Sequence, residues 1–162
     1  MPYELYPYPN KSTLTKEYIK EAWENSISPL ANKFGVKINM PDFSKQTYTN
    51  LAFEGYQYAK ENNKGNEYNH RILNAYFQDG MNIGDIDVLT KLAGEVGLNE
   101  QEYREGLENG KYEDVHKKML QHAYYGMKVE VVPTFIIGDT RLEGVVSEKT
   151  LKNAIDNELN KL

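Results

Sequence analysis

Between Thr15 and Phe34 the apolar positions Tyr18, Ile19, Ala22, Trp23 and Ile27 recur at helical spacing, with Lys and Glu on the opposite side. Pro29 lacks the amide that a helix interior needs, so it kinks or divides this helix, and Gly35 suits a left-handed stop. A loop through Pro41 and Ser44 follows, and then a series of short amphipathic helices. Residues 47–61 place Tyr48, Leu51, Ala52, Tyr56 and Ala59 on one side, and residues 66–79 do the same with Ile72, Leu73, Tyr76 and Phe77 before Gly80. Asp85 can cap a helix whose inner face is Ile86, Leu89, Leu92, Ala93 and Val96, stopped by Gly97. Asn99 with Glu102 reads as a capping box for a helix that ends near Gly110. Residues 112–125 carry Tyr112, Val115, Met119 and Ala123 at helical spacing.

The two ends of the chain differ from this helical middle. At the start, Tyr3 to Tyr6 alternate aromatic and polar groups and read as the end of a strand, with Pro7 and Pro9 forcing an extended exit. Toward the other end, Val129 to Ile137 is β-branched and aromatic, Gly138-Asp139 turns the chain, and Thr140 to Val145 alternates as a second strand. Ser147 caps a last helix with Leu151, Ala154, Ile155, Leu159 and Leu162 inward. The architecture is therefore a strand end, about a hundred residues of helices, a hairpin and a helix, with no internal repeat. The helical region reads as an insertion into one domain.

At 162 residues the chain can bury a sizeable core. Its 24 acidic against 19 basic side chains leave a net charge of −5, the wrong sign for a nucleic-acid binder. No apolar run is long enough to span a membrane, and the opening residues are not a signal peptide. There is no cysteine, which removes disulfides, thiolate zinc sites and cysteine nucleophiles from these residues.

Other chemistries find little footing. His116 and His122 are six residues apart, about 240° around a helix, and cannot share a metal. Glu67 and His70 have the Glu-x-x-His spacing of di-iron bundles, but those need a second copy and further glutamates, so His70 is expected in solvent. No acidic pair, nucleophile elbow or phosphate-cradling loop stands out, and no cofactor is called for. The 13 tyrosines read as half-buried packing.

Val132-Pro133-Thr134-Phe135 is the segment that asks for an explanation, because proline removes a ladder donor from a strongly β-forming run. Pro133 is either the first residue of the strand or follows a cis peptide bond that turns the preceding main chain outward; only about 5–6% of X-Pro bonds are cis.

Val-Pro-Thr-Phe ahead of a hairpin and a final helix, after an all-helical block, resembles the DsbA-like branch of the thioredoxin superfamily. The match is closer to the FrnE-type dithiol oxidoreductases and their relatives, the 2-hydroxychromene-2-carboxylate isomerases. Pro2-Tyr3-Glu4-Leu5 looks like the Pro-Phe-Glu-Leu that ends the family's second core strand. Asn74-Ala75-Tyr76-Phe77, Ile83-Gly84-Asp85, Val88-Leu89, Leu92-Ala93 and Gly97-Leu98 resemble its helical insertion in order and spacing.

The resemblance implies an α/β, thioredoxin-like fold of DsbA type with a large helical insertion, mostly helical as given. It divides into residues 1–12 (strand end and exit loop), 13–127 (insertion) and 128–162 (hairpin and final helix). It also implies that Pro133 is the cis-proline beside the active site, with Val132 and Thr134 flanking a substrate peptide or mixed disulfide. Lys128-Val129-Glu130-Val131 departs from the family's Gly-Val-x-Gly or Ser and puts a larger side chain at position 131, expected to face the site or the core. In the family a first strand and a Cys-x-x-Cys helix precede Pro-Phe-Glu-Leu, and this chain begins after both. Thiol–disulfide exchange needs a thiolate, so the chain as given has no catalytic residue for it.

Loss of a central strand rivals the roughly 5–15 kcal/mol that holds a typical domain. The chain is therefore expected to self-associate as a homo-oligomer, or to come from a longer parent in which Met1 is internal. Three functions compete. One is the C-terminal part of a dithiol–disulfide oxidoreductase acting on disulfide or thiol substrates. Another is a glutathione-dependent isomerase, disfavoured because Leu142 to Val146 lacks the aromatic-Gly-Gln-Asp-Arg run of those enzymes. The third is a non-catalytic peptide-binding or dimerising module. The branch resembled is commonly cytoplasmic, and neither nucleic acid nor membrane is an expected partner.

Overall fold

The computed structural model describes residues 3–10, 12–41 and 47–161. Met1, Pro2, Ser44 and Leu162 lie outside the described residues. The chain forms two compact units, residues 1–120 and 121–162.

The first unit is helical. Its opening helix runs as α1 (Lys16–Ala22), a π-helical turn (Trp23–Ile27) and α2 (Ser28–Phe34). Thr15 caps α1 by accepting from the Tyr18 amide, and Gly35 ends α2 at φ +66°. The wide turn stands just ahead of Pro29, which cannot donate to the carbonyl four residues back, so the ladder loosens there. The division at Pro29 is as expected; the apolar stripe is not covered as expected. No residue of these three segments is buried, and Tyr18 and Ile27 are exposed.

The helices α3 (Asn50–Glu61), α4 (Gly65–Phe77), α5 (Ile86–Glu95), α6 (Glu100–Glu108) and α7 (Glu113–Gln121) follow. Asp85 accepts from the amides of Asp87 and Val88, and Asn99 from that of Glu102, so both expected caps are present. Leu89, Leu92, Ala93, Tyr68, Tyr103 and Ala59 form the heart of one contiguous core. Close approach of α3 and α6 depends on Gly55, where a Cβ would stand 2.1 Å from the Tyr103 hydroxyl and 2.5 Å from that of Tyr68. Those hydroxyls are 2.7 Å apart, and Tyr68 donates to the Ala52 carbonyl at 3.1 Å.

Two inner faces are rotated from the expected ones. On α3 Tyr58 is buried and Tyr56 half-buried, because Tyr58 packs edge-on against Tyr103 and Tyr112. On and around α7 the buried stripe is Tyr112, His116, Leu120 and Ala123, while Val115 is exposed and Met119 half-buried. The cause is a polar partner for His116 from far along the chain. Tyr3 to Tyr6 are not a strand: among the described residues no strand lies beside them to complete a ladder. Instead Glu4 is buried, its Oε1 2.7 Å from His116 Nε2 and its Oε2 accepting from the Thr49 hydroxyl at 2.5 Å.

The second unit contains a π-helical turn (His122–Gly126), β1 (Thr134–Ile137), β2 (Thr140–Glu143) and α8 (Glu148–Leu159). β1 and β2 pair antiparallel, Thr134 opposite Glu143 and Ile137 opposite Thr140, around a turn with Gly138 at φ +55°. The strong β run from Val129 thus becomes strand only after Pro133, which cannot donate to a ladder. Ser147 caps α8 as expected, but of its apolar residues Ala154 alone is buried, and Ile155 and Leu159 are exposed. No helix among the described residues is long and apolar enough to cross a membrane.

Candidate functional site

The approach to Pro133 is held by polar ties. After the π-helical turn the Met127 amide donates to the His122 carbonyl at 2.8 Å, and the Val129 amide to that of Ala123 at 3.0 Å. Between them Lys128 adopts a left-handed conformation, φ +48°, which a non-glycine residue keeps only when its surroundings hold it. Arg141 of β2 does so: Nη1 donates to the Met127 carbonyl and Nη2 to that of Lys128, each at 2.7 Å. Its Nε donates to Glu143 at 2.8 Å, which fixes the fork in place.

Beyond this bracket Val129 is buried and the chain surfaces, with Val131, Val132 and Pro133 exposed. The Val132–Pro133 peptide is cis, as is Tyr8–Pro9. The Thr134 hydroxyl folds back to donate to the Val131 carbonyl at 2.5 Å, and the Pro133 carbonyl accepts from the Gly144 amide at 2.8 Å. The amide and carbonyl of Val132 are left with no hydrogen-bond partner among the described residues. β1 pairs with β2 along one edge, and its other edge faces no strand among the described residues. Val132, Pro133 and Thr134 therefore form an exposed bend at the head of an open strand edge. The bulkier Val131 lies on the outside of that bend, 44% exposed, and not in a core.

The histidines take other places. His70 is exposed, and among the described residues no three His, Asp or Glu side chains gather as a metal site would require. His116 belongs to the buried cluster with Glu4 and Thr49. Its Nδ1 has no partner among the described residues, and its ring lies parallel to Phe53 at 5.5 Å. Glu54, buried beside it, has its carboxyl raised above the ordinary range, chiefly by burial, against an opposing hydrogen bond from Asn50.

Sequence reasoning singled out Val132, Pro133 and Thr134 but missed the Arg141 bracket and the Glu4–His116 pair. A signal existed for His116, which falls four residues after Tyr112 and four before Leu120 on the inner stripe. Nothing local marks Arg141, whose acceptors are main-chain carbonyls.

Residues 7–156 match the family model described as a DSBA-like thioredoxin domain. Over 166 aligned residues the chain is 47% identical to the uncharacterized protein YwbO of Bacillus subtilis (strain 168); the alignment takes in 99% of this chain and 82% of that protein.

Proposed function

This chain belongs to the family of DSBA-like thioredoxin domains, and from that membership we propose that its Val132–Pro133–Thr134 bend holds an extended peptide by main-chain pairing. The reading is the substrate-holding half of a protein dithiol–disulfide oxidoreductase. The observation that carries it is the Val132 amide and carbonyl, exposed at the head of a strand edge and unpaired among the described residues. Exposed main-chain donors and acceptors in extended geometry are what strand addition uses. Val131 and Val132 supply apolar contact on either side, and Arg141 keeps the bend in one shape, which lowers the ordering cost of binding.

The chain has no cysteine, so it supplies no thiolate of its own. In this reading the attacking thiol comes from a strand and Cys-x-x-Cys helix joined ahead of residue 3, and the chain alone binds without exchanging disulfides.

The test is to follow amide signals of the ¹⁵N-labelled chain while adding a ten-residue unstructured peptide whose single cysteine is blocked as a mixed disulfide. Shifts centred on Val131, Val132 and Thr134 are expected, with Kd on the order of 0.1–1 mM for a contact of a few hydrogen bonds. A flat titration at those residues up to several millimolar, or shifts confined to the helical unit, rejects the reading. In a version extended by a family Cys-x-x-Cys segment, insulin reduction is expected, and Val132→Pro, which deletes the amide donor, is expected to lower it.

A further inference from the structure

Between α3 and α4 lies a cleft of about 420 Å³ that the peptide reading does not use. Its walls are largely aromatic: Phe53 and Tyr56 from α3, and Tyr68, Tyr76 and Phe77 from α4. The rings are braced. Phe53 is stacked on His116, Tyr76 and Phe77 meet edge-on at 4.9 Å, and the Thr49 hydroxyl at the margin is held by Glu4.

The polar groups that line the cleft among the described residues carry no charge. Among the described residues neither lysine nor arginine lines it, and no carboxylate does. The Tyr56 and Tyr76 hydroxyls and the Asn69 amide have no hydrogen-bond partner among the described residues. Burial raises the Tyr76 hydroxyl above its ordinary value and keeps it a neutral donor.

We propose that this cleft binds a free, uncharged aromatic molecule of one or two rings that carries a hydroxyl group. Aromatic walls with a few unsatisfied polar groups are the usual makeup of a small-molecule site, and sites of about 300–1,000 Å³ take such ligands. A two-turn helix from a partner protein, about 10 Å across and 11 Å long, would need roughly 800 Å³. Among the described residues no cation in the lining would compensate the desolvation of a carboxylate or phosphate, which favours an uncharged ligand.

The probe is 1-naphthol, added to the ¹⁵N-labelled chain. Saturable shifts are expected at Phe53, Asn69 and Phe77. Leu73, also in the lining, is 46% exposed, so Leu73→Trp fills the cleft without disturbing the core. It is expected to weaken binding about tenfold or more at an unchanged melting temperature. Asn69→Leu, at an exposed position, is expected to weaken 1-naphthol about threefold or more through the lost hydrogen bond. Sodium 1-naphthoate, with the same rings and a charge, should bind about tenfold more weakly than 1-naphthol. Non-saturable shifts overturn the proposal, as does naphthoate binding equal to that of naphthol. Undiminished binding in both variants overturns it too, and because Asn69→Leu leaves the core untouched, a folding failure of Leu73→Trp does not shield it.

Discussion

In residues 1–120 the buried apolar side chains touch one another from α3 through α6 to Tyr112, whereas in residues 121–162 Ala123, Val129 and Ala154 are buried and Val131, Val132, Ile136, Val145, Ile155 and Leu159 are exposed. The helical unit draws its cohesion from interlocked rings and aliphatics. The hairpin unit leans on directional polar ties: the Arg141 fork, the Ser147 cap, and Lys161 reaching Glu158 and Asp139. A helical block can close its core from within, since each helix satisfies its own backbone. A two-stranded ribbon cannot, because half of its hydrogen-bonding groups and one whole face need neighbours. The edge of β1 left unpaired among the described residues and the exposed valines before it are two signs of one deficit, which a bound peptide strand is proposed to meet.

The contrast predicts where the molecule breaks. The largest effect is expected from alkali on the helical unit. Burial, reinforced by the Glu102 carboxylate, pushes the Tyr58 hydroxyl up to about 12 from an ordinary 10.0, and Tyr68 and Tyr112 are raised as well, chiefly by burial. The folded chain keeps these protons where the unfolded chain releases them. Their contribution is therefore intact below pH 10 and is lost as the pH rises toward 12. Urea melts followed by far-ultraviolet circular dichroism should show the midpoint falling across that window. A flat profile would mean the tyrosines are hydrated.

Next in size is Leu89→Ala, fully buried in the same core, at about 2–5 kcal/mol in the same melts. In the hairpin unit Arg141→Met should cost about 1–3 kcal/mol, from charge-assisted bonds to two carbonyls. The same change should broaden or move the amide signals of Lys128 through Thr134. Ile155→Ala sits at the small end, within about 0.5 kcal/mol, because the side chain is exposed. A loss above about 1 kcal/mol that grows with protein concentration would mean that a second copy covers this face in solution.

Short-range chemistry was legible from the residues alone. Caps at Asp85, Asn99 and Ser147 and the stop at Gly35 depend on atoms within a few positions, and all are where the pattern puts them. The choice of inner face was less legible, because it depends on what arrives from elsewhere. Tyr58 displaces Tyr56 when two distant tyrosines pack against it, and His116 turns inward to meet a carboxylate 112 residues away. The same logic undoes the strand expected at Tyr3–Tyr6, since a strand is a property of a pair. At the bend, the proline flagged Val132–Thr134, while its support by Arg141 depends on hairpin register and could not be read from spacing.

The Glu4 anchor sets how the molecule answers a pull. Tension applied at Tyr3 does not peel the end away residue by residue. The Glu4 carboxylate carries it into His116, at the middle of α7, and through Thr49 to the start of α3. Downstream, Pro9 and Tyr8 form a second mooring on Tyr48, by a 3.2 Å hydrogen bond from its hydroxyl and by edge-on ring contact. A segment without regular structure thus behaves as a stay, and the load carried at Glu4 is delivered to the inside of the bundle and not to its rim.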